Sequence, residues 1–329
     1  MAKLPGEFDL IARYFKPLAR RMPGAVGLED DVCTWSPQAD QEIVLTADAL
    51  VAGIHFLPDD PADFVARKML RVNLSDLAAK GATPIGYLMT SAFSPEIDET
   101  WVKLFCEGLA ADQDEFGLSL MGGDTVATPG PLTLSLTAIG TVPKGRAPRR
   151  NGARPGDKVL VSGSIGDGAL GLKVLRHEFL GLEEAHRRHL ANRYHLPQPR
   201  VDLGRALMQS GRVTAMMDVS DGLAADLTHI AEASQVSATL RASAVPVSEA
   251  AAAILADDMS WLPLVLTGGD DYELLLTAAP DDVPALLGLA AELDLPLTEI
   301  GEIEKGSGVT IVDRDGTPLE LGAKGYRHF

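Results

Sequence analysis

Long hydrophobic runs, cysteine and basic charge are all scarce in this sequence of 329 residues. No run reaches the roughly eighteen apolar residues that a membrane-spanning helix needs, and the N-terminus lacks a hydrophobic signal core. Cys33 and Cys106 cannot form a disulfide framework and do not have the spacing of metal ligands. The sequence therefore predicts a cytoplasmic protein that does not act at a membrane.

Acidic residues outnumber basic ones, with 46 Asp and Glu against 29 Lys and Arg, which gives a formal net charge of −17. Binding to a nucleic-acid backbone needs a basic face, so a general nucleic-acid binder is disfavoured. Apolar residues make up 46% of the chain and charged residues 23%. This composition is typical of a globular protein and excludes disorder as the main state.

The chain is longer than a usual single domain, which predicts two domains. The best boundary is the segment RRNGARPGD at 149–157, where Arg, Gly, Pro and Asn are concentrated between two strand patterns. We therefore place the domains at 1–148 and 149–329. Both contain strand and helix patterns, and the predicted class is α+β.

Apolar spacing predicts the main elements of each half. In the first half it predicts helices at 7–22, 61–80 and 99–117 and strands at 42–48, 83–94 and 132–142. It also predicts a strand in LSLMGGDT, 118–125, that opens into a glycine turn at GGDT, 122–125. In the second half it predicts a helix near 172–192, a strand, turn and helix over 213–234, and two short strands around GGDD, 268–271.

Six short segments deliver carboxylates to loops after apolar runs. They are EDD (Asp30, Asp31), TAD (Thr46, Asp48), NLSD (Asn73, Asp76), GGDT (Asp124), DVSDGL (Asp218, Asp221) and GGDD (Asp270, Asp271). Carboxylate and hydroxyl oxygens are ligands that Mg²⁺ prefers, and divalent cations would relieve the repulsion between converging carboxylates. The same residues are also typical of helix N-caps and turns. Spacing alone does not decide between these two interpretations.

Several known nucleotide motifs are absent or weak. The P-loop sequence and the glycine loop and H-R-D of protein kinases do not occur. Gly166, Gly168 and Gly171 have the spacing of a dinucleotide fingerprint, but no convincing βαβ unit accompanies them, so a Rossmann site is not favoured. The basic stretch HRRHLANRYH, 186–195, is interpreted as a solvent-exposed helix face.

An ordered set of segments carries a family resemblance. LTADALVAGIHF, RVNLSDLAAKGATP, LMGGDT, GRAPRRNGARPGD, MDVSDGL, TGGDDYEL and the terminal KGYRHF follow one another along nearly the whole chain. Together they resemble the thiamine-monophosphate kinase family, within the superfamily of enzymes similar to aminoimidazole-ribonucleotide synthetase. NLSDLAAKGA and DVSDGL are shared with sister enzymes, whereas LVAGIHF, GGDDYEL and KGYRHF are typical of the thiamine branch.

The resemblance implies a two-domain fold and a reaction. The expected fold has a mixed-sheet N-terminal domain (1–148) for metal binding, nucleotide binding and dimerisation, and an α/β C-terminal domain (149–329) that closes over ATP and substrate. The expected reaction is direct in-line transfer of the γ-phosphate of ATP to thiamine monophosphate, which gives thiamine diphosphate and ADP. Several Mg²⁺ ions, no phosphoenzyme and a homodimer are expected with it.

The resemblance also assigns roles to residues that match the motifs of the family. The metal positions are Asp31, Thr46, Asp48, Asp76, Asp124, Asp218 and Asp221. The ATP positions are Gly123, Asp124, Arg150 and Ser220, and the substrate positions are His55, Asp270 and Tyr326. Asn73 and Asp226 are explained as turn or helix residues and are left out of the predicted site.

This chain departs from the usual motifs of the family at several positions. Glu29 stands in GLEDD where a glycine is common, Ala47 stands in TAD where a hydroxyl residue is common, and Asp270 replaces a usual Glu. Ala323 precedes KGY where an aromatic residue is usual. The usual adenine-contacting aromatic is not clearly assigned, because Glu115 and Phe116 both lie near its position.

Two alternatives remain open from the sequence. One is another ATP-dependent enzyme of the same superfamily, although Cys33 lies in an unsuitable context for a selenophosphate synthetase and the tail lacks the C-terminal Cys of the hydrogenase-maturation relatives. The other is a non-catalytic nucleotide or thiamine-phosphate sensor. A sensor would be expected to lose metal-binding acids, and these are all present.

Overall fold

The computed structural model describes residues 4–321. The chain divides into two compact units. The N-terminal unit holds the chain up to Leu77 together with Ala82–Gly145, and the C-terminal unit holds Ala78–Gly81 and the chain from Arg146 on. Both contain helices and a mixed sheet, as expected for an α+β protein. Within residues 4–321 there is no helix with the length and apolar character that crossing a membrane requires.

The N-terminal unit is a four-stranded sheet with helices. After a short α1 (Glu7–Leu10), its elements are β1 (Gln41–Val51), α2 (Ala62–Ala78), β2 (Thr83–Phe93), α3 (Glu99–Phe116), β3 (Ser119–Ala127) and β4 (Thr133–Pro143). The strand order is β1-β4-β2-β3, with β2 and β3 parallel and the other pairs antiparallel. The sheet is therefore mixed, as predicted.

The predicted continuous helix at 7–22 is wrong. Helix α1 passes into a π-helical turn at Ile11–Phe15 and then into 3₁₀ turns at Lys16–Ala19 and Pro23–Leu28. Pro17 lacks the backbone N–H that would continue the α-helical pattern, which accounts for the change at this point.

Helices α2 and α3 pack closely through a glycine and a buried ion pair. A Cβ on Gly108 would lie 2.4 Å from the carbonyl oxygen of Asp63, so only glycine allows this approach. Beside it, Arg71 donates from Nε and Nη2 to Asp112 at 2.7 and 3.0 Å, and both side chains are buried. A charge buried this deeply requires its partner. Asp112 is therefore a structural carboxylate.

The predicted glycine turn at GGDT is also wrong, because these residues continue strand β3. Gly123 pairs with Met89 and Asp124 with Thr90 on the parallel strand β2. A Cβ on Gly123 would lie 1.9 Å from the carbonyl oxygen of Met89. The glycine is therefore needed for close approach of two strands, and it lies two residues after Met121, the extra residue of a bulge in β3 opposite Tyr87 and Leu88.

The C-terminal unit is a six-stranded sheet with helices. Its elements are β5 (Lys158–Ser162), α4 (Asp167–Leu175), α5 (Glu184–His195), α6 (Val201–Ser210), β6 (Val213–Val219), α7 (Leu223–Ser234), β7 (Ser237–Arg241), α8 (Glu249–Asp257), α9 (Leu262–Thr267), β8 (Glu273–Ala278), α10 (Val283–Glu292), β9 (Leu297–Glu304) and β10 (Gly308–Val312). The strand order is β10-β7-β9-β5-β8-β6. Strands β7 and β10 are parallel, and the other neighbours are antiparallel.

Two predicted elements of this unit are wrong. The helix near 172–192 is two helices, α4 and α5, separated by a loop in which His177 and Phe179 adopt positive φ. The first of the two strands around GGDD is helix α9, which begins with Leu262 and Pro263. A short apolar run has no periodicity that separates a strand from a buried helix.

The predicted solvent exposure of helix α5 is wrong on one face. Arg193 turns inward and donates to the carbonyl oxygen of Asp271 at 3.1 Å and to the carboxylate of Glu273 at 2.9 Å. Glu273 is fully buried and also accepts from Ser162 Oγ at 2.6 Å and from Arg200 Nε at 2.7 Å. This network stabilises the start of strand β8.

The glycines of the apparent dinucleotide fingerprint serve packing. Gly166 and Gly168 donate their N–H groups to the carboxylate of Asp271 at 2.8 and 3.1 Å, at the N-terminus of α4. A Cβ on Gly171 would lie 2.1 Å from the carbonyl oxygen of Leu190. A carboxylate of the chain itself thus occupies the position where a pyrophosphate would bind.

Asp271 makes the stability of the protein depend on pH. Burial raises its pKa to about 8, although the two backbone N–H groups act to lower it. In the unfolded chain the pKa returns to about 3.9. Between these pH values the folded protein holds a proton that the unfolded chain has lost, so the free energy of unfolding falls as the pH rises.

We expect Asp271→Asn to flatten this dependence. In urea unfolding at pH 5 and pH 8, the loss of stability should be smaller in the variant than in the wild type by more than about 1 kcal/mol. Asp281→Asn, at an exposed acid, should keep the wild-type slope. An unchanged slope in Asp271→Asn would show that Asp271 is ionised across this range.

Candidate functional site

The structure brings three of the predicted metal residues together in the N-terminal unit. Thr46 and Asp48 lie two residues apart on β1 and therefore on one face, and Asp76 lies in the last turn of α2. Thr46 Oγ1 donates to Asp76 Oδ2. Burial, and then the charge of Asp76, raise the pKa of Asp48 to about 6. Carboxylate and hydroxyl oxygens of this kind are the donors that a hard divalent cation prefers.

The departure at Ala47 does not disturb this cluster. Ala47 is exposed and lies between Thr46 and Asp48 on the strand, so its side chain points to the opposite face of the sheet. A hydroxyl side chain at position 47 would therefore not reach the group of Thr46, Asp48 and Asp76, and that group is complete without it.

A second group of predicted residues lines a cavity of about 480 Å³ in the same unit. Asp31, Gly123 and Asp124 lie on its wall. Apolar side chains complete the wall, among them Ile11, Phe15, Leu28, Leu88, Met121 and Ile139. The cavity thus combines four carboxylates, those of Glu7, Asp30, Asp31 and Asp124, with apolar side chains, which suits a ligand with a charged end and a flat apolar end.

The strand register separates Asp124 from Asp48. Asp124 pairs with Thr90, Thr90 with Ser135, and Ser135 with Ala49. Asp124 therefore shares a face of the sheet with Ala49, whereas Asp48 lies on the other face. Within one N-terminal unit, the predicted metal residues form two groups on opposite faces.

The departure at Glu29 is compatible with the loop that carries Asp31. The left-handed backbone of this loop falls at Val26, Gly27 and Leu28, with φ of 49°, 64° and 59°. Glu29 itself has a φ of −103°, which any residue adopts. Its carboxylate forms an ion pair with Lys16. Glycine is therefore not required at position 29.

His55 has a defined tautomer when it is neutral. The backbone N–H of Val51 donates to His55 Nδ1 at 3.0 Å. Since Nδ1 accepts, the proton of the neutral ring lies on Nε2, which is then a hydrogen-bond donor.

The predicted adenine contact at Glu115 or Phe116 stays undecided. Glu115 accepts from Arg71 Nη2 at 2.7 Å, and the Arg71 guanidinium lies 5.2 Å from the centre of the Phe116 ring. Both residues thus take part in the ion-pair network of α2 and α3. Phe15 is an aromatic residue that lines the cavity with Gly123.

In the C-terminal unit, the loop between β6 and α7 carries Asp218, Ser220 and Asp221. Asp218 is 3% exposed at the end of β6. Gly222, with a φ of 120°, precedes α7, and a Cβ there would lie 2.4 Å from the carbonyl oxygen of Thr267. The glycine therefore allows the sharp turn that presents the two acids.

Two residues of this region are missing from the sequence-based site. Asp226 is buried, and burial together with Asp218 and Asp221 raises its pKa to about 8. Ligand atoms of Asp221, Asp226 and His229 all lie within 4.8 Å of one another. The spacing of three residues between Asp226 and His229 on a helix is the sequence pattern that could have indicated this neighbourhood.

The GGDD loop packs against the loop that carries Ser220. The N–H of Asp270 donates to the carbonyl oxygen of Ser220 at 2.9 Å, and the N–H of Tyr272 donates to that of Val219 at 2.7 Å. Asp270 and Tyr272 both have positive φ, and the Tyr272 hydroxyl lies 3.2 Å from Asp270 Oδ1. The structure therefore places the predicted substrate acid Asp270 beside the predicted ATP residue Ser220.

Arg150 lies on a segment fixed to the C-terminal unit through its backbone. The carbonyl oxygen of Arg150 accepts from Ser234 Oγ at 3.1 Å, and that of Arg149 accepts from the N–H of Met216 at 2.9 Å. The side chain of Arg150 is exposed. Tyr326 and Ala323 lie outside the described residues.

Both halves of this chain match domains of a known protein family. The AIR synthase related protein family matches with its N-terminal domain at residues 29–142 and with its C-terminal domain at 154–314. A thiamine-monophosphate kinase of Caulobacter vibrioides is 42% identical over 97% of this chain and 90% of that protein.

Solved structures agree in fold and length. The crystal structure of thiamine-monophosphate kinase from Stenotrophomonas maltophilia has a TM-score of 0.83 at 40% identity and covers 93% of this chain and 98% of that one. AaThiL complexed with AMPPCP and TMP has a TM-score of 0.77 at 29% identity, with 98% and 97% coverage. The two-domain α+β fold is thereby confirmed, and the chain belongs to the thiamine-monophosphate kinase family.

Proposed function

We propose that this protein transfers the γ-phosphate of ATP to thiamine monophosphate, which gives thiamine diphosphate and ADP. The observation that carries the proposal is the group of Thr46, Asp48 and Asp76, crowded oxygen ligands in a chain of this family. The related AaThiL is complexed with AMPPCP, an ATP analogue, and TMP. ATP supplies the phosphoryl group, and we place the reaction in the cytoplasm.

The donor set fits Mg²⁺. Burial and, after it, repulsion from Asp76 raise the pKa of Asp48, and a bound cation would offset both. We propose that several Mg²⁺ ions are held by Asp31, Thr46, Asp48, Asp76, Asp124, Asp218 and Asp221. When bound, Mg²⁺ neutralises phosphate charge and lets two anionic substrates approach.

The remaining residues of the proposed site bind and orient the substrates. His55 donates from Nε2–H to an oxygen of the substrate phosphate. Arg150 pairs with the polyphosphate of ATP, beside contacts from Gly123, Asp124 and Ser220. Asp270 accepts from the aminopyrimidine and complements the cationic thiazolium, together with Tyr326. No protein nucleophile takes part, and catalysis rests on position and charge.

The proposal predicts which acceptor the protein uses. ADP release from Mg-ATP should occur with thiamine monophosphate and not with thiamine, and mass spectrometry should identify thiamine diphosphate. Asp124→Asn should lower turnover by about 100-fold or more, whereas Asp114→Asn, at an exposed acid on α3, should not change it. Binding of both substrates without turnover by the wild type would instead identify a sensor.

The raised pKa of Asp48 predicts proton competition for Mg²⁺. Below about pH 6 the cation must displace a proton from Asp48. The apparent Mg²⁺ affinity, measured by calorimetry, should therefore rise between pH 5 and pH 7, by up to about tenfold per pH unit for this one proton. Asp48→Asn should bind more weakly and lose this part of the dependence. The same pH profile in variant and wild type would remove Asp48 from the cation site.

We also propose a homodimer that pairs the sheets of two N-terminal units. The strand register places Leu45, Leu88 and Val126 on one face, and they are 63%, 43% and 46% exposed. Ile43 on the edge strand β1 is 47% exposed on the same face. An exposed apolar face beside an open strand edge is the kind of surface that pairs with a second copy.

Sedimentation velocity tests the dimer. The wild type should sediment as a dimer, and Leu45→Glu should shift it toward monomer because a charge would be buried in the paired face. Leu180→Glu, at a leucine that is 69% exposed in the C-terminal unit, is the matched control and should remain dimeric. A monomeric wild type, or a dimer that survives Leu45→Glu, would contradict this arrangement.

A further inference from the structure

Asp226 holds the backbone of the loop that carries the C-terminal site residues. The N–H groups of Ser220, Asp221 and Gly222 all donate to its Oδ2 atom, at 3.0, 3.2 and 3.2 Å. The carboxylate is 1% exposed and belongs to the first turn of α7. Three consecutive N–H groups form an anion-binding concavity, and here a side chain of the chain itself occupies it.

The loop that Asp226 holds is also hydrogen-bonded to Asp270, the predicted substrate acid. The N–H of Ser220 is bound to Asp226, while the carbonyl oxygen of Ser220 accepts from the N–H of Asp270. Gly269 packs on that carbonyl, since a Cβ there would lie 2.3 Å from the oxygen. The backbone of Ser220 is therefore fixed on both sides, with Asp226 on one and the GGDD loop on the other.

We propose that Asp226 is a positioning residue for this reaction. Its carboxylate fixes the backbone of Ser220–Gly222 and thereby places the side chains of Asp218 and Asp221 for cation binding and Asp270 for the thiamine substrate. The inference rests on the proposed function for the identity of the substrates. Its physical basis is the set of backbone hydrogen bonds, which does not depend on those substrates.

A pair of variants separates positioning from direct cation binding. Asp226→Ala removes the acceptor of all three N–H groups, whereas Asp226→Asn retains one oxygen that can accept them. Asp226→Ala should lower kcat/KM for thiamine monophosphate by about 10- to 100-fold and weaken Mn²⁺-AMPPCP binding by about tenfold. Asp226→Asn should stay within about fivefold of the wild type in both measurements, since the amide oxygen keeps the loop in place.

Amide hydrogen exchange gives a readout that is independent of catalysis. The amides of 220–222 should be protected in the wild type and in Asp226→Asn, and should lose protection in Asp226→Ala while those of β6 and β8 keep it. Asp98→Ala, which removes the N-cap of α3, is the control for the loss of a carboxylate that accepts from a helix N-terminus and should leave kcat/KM unchanged. Should Asp226→Ala fail to fold, exchange and binding in Asp226→Asn still test the proposal.

Three results would overturn this role. Equal loss of Mn²⁺-AMPPCP binding in Asp226→Asn and Asp226→Ala would make Asp226 a direct cation ligand. Unchanged exchange at 220–222 in Asp226→Ala would show that the carboxylate does not hold the loop. Wild-type kinetics in Asp226→Ala would show that the loop does not need it. The first two results come from Mn²⁺-AMPPCP binding and exchange, which do not involve the acceptor, so a wrong substrate assignment would not imitate them.

Discussion

Buried carboxylates set the constraint on which the rest of the structure depends. A carboxylate removed from water needs charge or hydrogen-bond donors around it. Asp112 has arginine, and Asp226 and Asp271 have backbone N–H groups at the start of helices α7 and α4. Burial and the charge of another acid, Asp76, raise the pKa of Asp48. Asp226 also has acids near it, Asp218 and Asp221, but backbone donors satisfy it within the fold. The proposed cation would do the same for the oxygens around Asp48.

The same constraint determines how the protein can hold phosphate. Helix N-termini with glycine-rich turns are common anion sites, and the starts of α4 and α7 have this form. In this chain Asp271 and Asp226 occupy both positions. In the proposed site, cations on the acidic loops and the side chain of Arg150 hold the polyphosphate instead. This accords with a phosphotransferase that joins two anionic substrates.

Motif residues could be predicted from the sequence, but their grouping could not. Thr46 and Asp48 are two residues apart on a predicted strand, so their common face follows from alternation alone. The face of Asp124 relative to that of Asp48 depends on the pairing of four strands and on the bulge at Met121 in β3, which no local pattern encodes. The glycines of GGDT suggested a turn, yet they serve strand contact. The role of Asp226 could not be predicted, because it depends on the path of the loop whose N–H groups donate to its carboxylate.

Direct phosphoryl transfer without a protein nucleophile is tested most directly by the stereochemical course of the reaction. With ATP made chiral at the γ-phosphorus by oxygen isotopes and sulfur, the configuration of the phosphoryl group in thiamine diphosphate reports the number of transfers. Each in-line displacement inverts that centre. One transfer gives inversion, which is the predicted result. Retention would require two transfers through a phosphoenzyme and would contradict the account.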